Sequence, residues 1–301
     1  MFRFSKTMLL AGAIPGVLQI NTVWGYGAAV PVSPAADPAE TGDACQKLKN
    51  LDLPDTTIMV AQSVPAGGGA VAMPEITAQA ASIFPSGPAA LISKLAKAPG
   101  FCRVAGSITP SADSLIGFEV WLPAEGWSGK LQGIGEGGFA GYIAYDDLVT
   151  SISRGYAAAS TDAGHKASPF RVDWAFNHPE KVKDWNYRAV HLTAVAAKSI
   201  ISSFYGRAAQ SSYYSGCSGG GRQGLTEAQR FPADYDGVLS GDAGSFAPGL
   251  AQNLWLAHAQ INDPAALLSQ KKLSVLHAAA LRACDKYNKA RGAISGMQFA
   301  A

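Results

Sequence analysis

Charge is scarce in this chain. Asp, Glu, Lys and Arg make up 15% of its 301 residues, and the formal net charge is +2. No run of five or more lysines or arginines occurs. The electrostatic footprint of a nucleic-acid or anionic-membrane binder is therefore missing, and neither partner is expected. Beyond the N-terminal region no stretch reaches 18 continuous apolar residues, so no membrane-spanning helix is expected. No internal repeat is evident. Cysteine is sparse, with four copies: Cys45, Cys102, Cys217 and Cys284. The even count permits two bridges but leaves the pairing open.

Hydrophobic residues are plentiful, at 48%. With so little charge, that fits a globular protein with a sizeable core rather than a disordered one. The N-terminus reads as an export signal: Arg3 and Lys6 precede an apolar run from Met8 to Ile20, and small residues follow from Gly25 to Ala29. That run is too short to cross a bilayer. The organisation expected is a signal peptide over 1–28, a Pro/Ala-rich linker over 29–44, a core over 45–248, and a helical segment with an atypical tail over 249–301. Export implies a secreted or periplasmic location, where cysteines pair.

From Ile108 onward, strand-like and helix-like segments alternate. Gly117 to Leu122, Lys130 to Ile134, Tyr156 to Ser160, Ser212 to Ser215 and Tyr235 to Ser240 read as strands. A long helix is predicted near Asp184 to Tyr205, where Trp185, Ala189, Leu192, Ala196 and Ile200 recur at helical spacing before Gly206. Another helix runs to Arg230, and helical patterns resume over Leu250 to Gln260 and Ala265 to Lys286. Such alternation predicts an α/β fold with a mostly parallel sheet covered on both faces. Its site belongs at the carboxyl ends of the strands.

Gly216-Cys217-Ser218-Gly219-Gly220 fits the G-x-S-x-G turn between a strand and a helix. Small residues two positions either side let strand and helix approach, and the serine hydroxyl projects above the sheet at a helix N-terminus. Ser218 is the candidate nucleophile. It needs a histidine base, a carboxylate to orient that base, and donors for an oxyanion. The Gly219 amide is one candidate donor. The other is Gly137 or Gly138, in the glycine-rich loop Gly135 to Gly141, where a bare backbone can approach a substrate. Gly133, Gly135 and Gly138 also match a dinucleotide-binding pattern, but no acidic residue sits at the ribose position. An oxidoreductase is the weaker reading.

Gly216-Cys-Ser-Gly-Gly-Gly-Arg-Gln-Gly224 resembles the elbow of the tannase and feruloyl esterase family, of α/β-hydrolase fold. Phe101 to Ala105, Glu119 to Pro123, the glycine-rich loop, Ala159 to His165, His178-Pro-Glu180 and Glu227 to Pro232 resemble family segments in the same order. The resemblance covers about Cys45 to Asp285 and implies esters of aromatic hydroxy acids, galloyl or feruloyl, as small-molecule substrates. It also implies a Cys45–Cys102 bridge, whose loop closure is worth about 4 kcal/mol. Cys217 matches the cysteine beside the nucleophile, which in the family bridges to a cysteine next to the catalytic histidine.

Beyond Ser218 the pattern departs from the family. His258 and His277 are the only histidines there, and neither precedes a cysteine. In the family the segment near Cys284 leads into an acidic calcium-binding loop in a lid. Here Lys286 to Gly292 is basic and suits a hard cation poorly; no other cofactor is implied. The chain is accordingly expected to hold an incomplete core and the start of a lid, to end by truncation or a shifted reading frame, and to be impaired as an esterase. The alternative is a non-catalytic fragment or aromatic-ligand binder. A Ser218–His165 dyad and an acid role for Asp242 are conceivable, though Asp162 and His165 read as loop braces. The sequence leaves the oligomeric state open.

Overall fold

A computed structural model describes residues 44–68, 87–244 and 247–290. The export signal and most of the linker therefore lie outside the described residues, as do 291–301 and the side chain of Cys284.

The described strands are β1 (Thr56–Val64), β2 (Phe101–Ile108), β3 (Ile116–Pro123), β4 (Lys130–Ile134), β5 (Ala157–Thr161), β6 (Ser211–Cys217) and β7 (Gly237–Gly241). The main helices are α1 (Gly87–Leu95), α2 (Tyr145–Ile152), α3 (Pro179–Lys183), α4 (Ala189–Tyr205), α5 (Gly219–Arg230), α6 (Ala247–Asn262) and α7 (Gln270–Ala290). The strands form one sheet of order β1-β2-β3-β5-β4-β6-β7.

This sheet is mixed, which corrects the expectation of a mostly parallel one. β1, β2, β3 and β5 pair antiparallel in succession, whereas β5, β4, β6 and β7 pair in parallel. β1 and β2 precede the alternating region that starts at Ile108, and no strand is expected there from the pattern. Short connections let β2 and β3 pair as an antiparallel neighbour pair, whereas parallel neighbours need a crossover. α2, α4 and α5 supply the crossovers in the later half, where the alternation expected from the sequence is found.

Side chains alternate between two cores across the sheet, as strand geometry requires. Val120, Leu122, Ala157 and Ala159 join one cluster with Ile200 and Ile201 of α4. Trp121 and Ala158 face the other way and join Leu148 and Ile152 of α2. α4 buries Ala189, Val190, Thr193, Ala194, Ala196, Ala197, Ile200 and Ile201, a stripe at helical spacing. Each fully buried isoleucine contributes about 1.5–3 kcal/mol. Gly206 ends the helix in the left-handed conformation, φ 67. The turn before α4, Asp184–Arg188, is π-helical. It places Asp184 to accept from Ser114 (2.5 Å) and from Arg188 (2.6 Å).

A buried ion pair ties β2 to β3. Arg103 donates to Glu119 at 2.7 and 3.0 Å. Trp121 and Tyr145 also donate to Glu119, at 2.7 and 2.9 Å, so its carboxylate is well satisfied. Cys45 and Cys102 form a disulfide, the pairing that the family resemblance implied.

Candidate active site

Four loops leave the carboxyl ends of the parallel strands on one edge of the sheet. Gly135–Gly141 follows β4, Asp162–His165 follows β5, Ser218 follows β6 and Asp242 follows β7. A cavity of about 530 Å³ lined by Pro65, Phe101, Cys102 and Phe204 lies at the opposite edge, because β2 begins there. It has no part in the chemistry considered below.

Ser218 is the N-cap of α5 and is exposed. Its backbone has φ 57 and ψ −114, a strained conformation for a residue with a β-carbon. Three hydrogen bonds hold it there. Its amide donates to Gly241 O (3.0 Å), and its carbonyl accepts from Arg222 N (3.0 Å) and Gly244 N (3.1 Å). β7 and the first turn of α5 thus fix the bend, leaving the hydroxyl outside the core.

The glycine requirement is explicit in the packing. A β-carbon on Gly216 would lie 2.6 Å from Gly220, and one on Gly219 would lie 2.8 Å from Gly138 O and 2.9 Å from Gly138 N. The glycine-rich loop is therefore pressed against the first turn of α5, bringing Gly138 and Gly219 together. Gly138 has φ 63, and a β-carbon there would meet Pro169 O at 2.6 Å. No described hydrogen bond uses the amide of Gly138 or Gly219. Gly137 is less crowded, a β-carbon there lying 3.9 Å from the Tyr142 hydroxyl; the backbone that abuts Gly219 is that of Gly138.

Side chains beneath this contact clamp it from inside. Gln223 of α5 accepts from the Glu136 amide (3.3 Å) and from the Tyr214 hydroxyl (3.1 Å), and donates to the Glu136 carboxyl (3.1 Å). Tyr214 also donates to Gly220 O at 3.1 Å. Burial, with the Asp162 carboxylate adding to it, pushes the Glu136 carboxyl well above the usual range. Arg222 lies over the Trp185 ring at 3.8 Å and donates to the Trp185 and Asn186 carbonyls at 3.0 Å. Sequence reasoning singled out neither Glu136 nor Gln223. Their signal was a polar residue inside each of the two glycine-rich stretches.

Asp162 and His165 act as braces. Asp162 accepts from Gly117 N (2.8 Å) and Gly164 N (3.0 Å). Burial outweighs these two bonds and pushes its carboxyl up to about 7. His165 has Nε2 2.8 Å from Phe139 O and Nδ1 3.3 Å from Ala163 O, and its ring stacks on Trp174. Burial lowers its pKa. With both nitrogens against carbonyls, His165 is not set up as a base for Ser218. Asp242 is exposed and has φ 38.

Among the described residues no histidine ring is hydrogen-bonded to Ser218. Two histidine–carboxylate pairs lie elsewhere: His178 Nδ1 is 2.8 Å from Asp113 Oδ1, and His191 Nδ1 is 2.6 Å from Asp234 Oδ2, with Glu227 beside the second pair. Glu227, however, is nine residues further along α5 than Ser218, about 13 Å at helical rise. Burial, with Asp234 alongside, pushes the Glu227 carboxyl up to about 8. Cys217, beside the serine, is an exposed free thiol, and Cys45 and Cys102 lie far from it in the β1–β2 region.

The model of the family "Tannase and feruloyl esterase" matches residues 102–298. The chain belongs to the tannase and feruloyl esterase family. An uncharacterized esterase of Xanthomonas campestris pv. campestris is 41% identical over 249 residues, covering 82% of this chain and 40% of that protein. Feruloyl esterase B of Aspergillus niger is 36% identical over 199 residues, covering 65% of this chain and 37% of its own length. The crystal structure of feruloyl esterase B from Aspergillus oryzae superposes with a TM-score of 0.53 and 31% identity, covering 66% of this chain and 36% of that one. The chain thus spans about two fifths of the length of these relatives. The chain has an α/β-hydrolase core, and the family match runs past it through α6 and α7.

Proposed function

We propose that this chain carries the nucleophile and oxyanion donors of a secreted serine carboxylesterase, with galloyl or feruloyl esters as substrates. The observation that carries this reading is Ser218, held exposed at a positive-φ bend with the Gly219 and Gly138 backbones abutting. Membership of the family, and the feruloyl esterases among its relatives, supply the substrate class. Ser218 Oγ attacks the ester carbonyl, and the amides of Gly219 and Gly138 stabilise the oxyanion at the dipole-positive end of α5. Collapse expels the alcohol and leaves an acyl-serine, which water hydrolyses to release the aromatic acid. Export is supported by the Cys45–Cys102 disulfide, which suits an oxidising compartment.

No histidine is bonded to Ser218 among the described residues, and slow turnover by this chain alone is part of the proposal. Oxyanion stabilisation and binding sustain about 10³–10⁴-fold over water in hydrolases stripped of their triad. The same observation favours a second reading, in which the fold binds aromatic ligands without hydrolysing them. A fluorophosphonate probe and release of ferulate or gallate from simple esters decide between the two. The esterase reading expects labelling on Ser218 and slow release, both lost in Ser218→Ala. Folded protein that binds the ester but gives neither signal in the parent chain assigns the second reading. Labelling or release that survives Ser218→Ala overturns the first.

A further inference from the structure

His191 on α4, Glu227 on α5 and Asp234 on the connection to β7 converge, with one ligand atom from each lying within 4.8 Å of the others. Glu227 is 1% exposed, and neither of its carboxyl oxygens makes a hydrogen bond of ordinary length; the group that faces it is a second carboxyl, Asp234. An unpaired carboxylate at such a position is costly in the absence of a compensating charge or donor. Lys198, the cation nearby that bears on it, donates to Ala233 O at 3.1 Å instead. Asp234 is likewise buried, whereas the His191 side chain is 29% exposed and leaves one side open for entry and for a water ligand.

We infer that His191, Glu227 and Asp234 form a binding site for one divalent transition-metal ion, zinc foremost. One imidazole nitrogen and two carboxyl groups match the borderline preference of that ion; with Glu227 giving up its proton to solvent on binding, the two carboxylates neutralise it. Tetrahedral coordination needs ligand atoms about 3.4 Å apart. His191 and Asp234, now 2.6 Å apart, open slightly, while Glu227 closes in. His191 is held in place for this by stacking on Phe231, ring centroids 3.9 Å apart. The ion would cross-link α4, α5 and the entry to β7, and so fix the helix that begins at Ser218. It takes no part in the ester chemistry, and its test does not depend on turnover, so it stands or falls separately from the esterase reading.

The full chain, in a Cys217→Ser background to remove the exposed thiol as a competing ligand, is stripped with EDTA. It is then dialysed against Zn²⁺, Co²⁺, Mn²⁺ or Ca²⁺. The expected result is one equivalent of retained zinc, a visible Co²⁺ absorption band, and a melting temperature raised by about 5–10 °C at a hundredfold excess over Kd. All three are lost in Glu227→Gln, and in His191→Phe, which preserves the ring stack. No stoichiometric metal and an unmoved melting temperature overturn the site, as does zinc binding that persists in Glu227→Gln. A metal-indifferent parent that Glu227→Gln stabilises shows instead that the two carboxyl groups share a proton, and overturns it equally.

Discussion

Replacing Ser218 by alanine and by glycine separates the chemistry of its hydroxyl from the strain of its backbone. At φ 57 and ψ −114 the β-carbon is crowded, and such conformations cost about 1–3 kcal/mol. Ser218→Ala removes the hydroxyl and keeps the β-carbon, so the strain stays. Ser218→Gly removes both, at the expense of about 0.5–1 kcal/mol of extra unfolded-state entropy. The glycine variant is therefore expected to be about 1 kcal/mol more stable than the alanine variant, a difference of about 2–4 °C in Tm for a domain of this size. Thermal melts and urea titrations with matched m-values read that difference. Fluorophosphonate labelling should vanish in both variants. A glycine variant less stable than the alanine variant would falsify the strain assignment, and with it the claim that the bend is imposed by Gly241, Gly244 and Arg222 rather than adopted freely.

Asp162, raised from 3.8 to about 7 in the folded chain, binds more protons folded than unfolded across that interval. Its contribution is fully present below about pH 4 and is lost as pH rises through 7, a swing of about 4 kcal/mol. Glu227, raised to about 8, adds slope of the same sign. Asp162→Asn, which can still accept from Gly117 and Gly164, should flatten stability between pH 4 and 7; an unchanged slope refutes the assignment. Gly135→Ala would set a β-carbon 2.6 Å from Gly220 Cα and against the Tyr214 hydroxyl. It should cost about 2 kcal/mol by overpacking and reduce Ser218 labelling by moving the glycine-rich loop; parent-level labelling argues against the contact. Arg103→Met leaves Glu119 buried without its counter-charge. A loss of about 3 kcal/mol in urea unfolding is expected, and a neutral result means Trp121 and Tyr145 suffice.

The later half of the fold was legible because its pattern is local. Lys130–Ile134 and the helix ending at Arg230 are found where the sequence places them, bounded by glycine and by the change of period. The bend at Ser218 was equally legible, since its spaced glycines stand between a strand pattern and a helix pattern. β1 and β2 were not, because their burial depends on partners elsewhere. Thr56–Val64 is half-exposed along much of its length and shows no clean alternation. Six consecutive buried residues in Phe101–Gly106 show none either. The Glu136–Gln223 clamp and the His191–Glu227–Asp234 cluster join residues 87 and 36–43 positions apart. Contacts at that separation leave no periodic trace in a single chain.

The division of the sheet into an antiparallel and a parallel half also bears on the order of assembly. β1, β2 and β3 pair with neighbours in sequence, β1 through a longer connection and β2 through a short one. β4, β5, β6 and β7 must wait for the intervening helices to cross over. Loop closure makes such distant pairings slow. Residues 45–123 hold both cysteines of the disulfide and precede Ser218 in the chain, so the antiparallel pairs β1–β2 and β2–β3 and their cross-link need nothing from the segment that carries the bend. The half that is cross-linked first becomes a platform, and the reactive turn is laid onto it last.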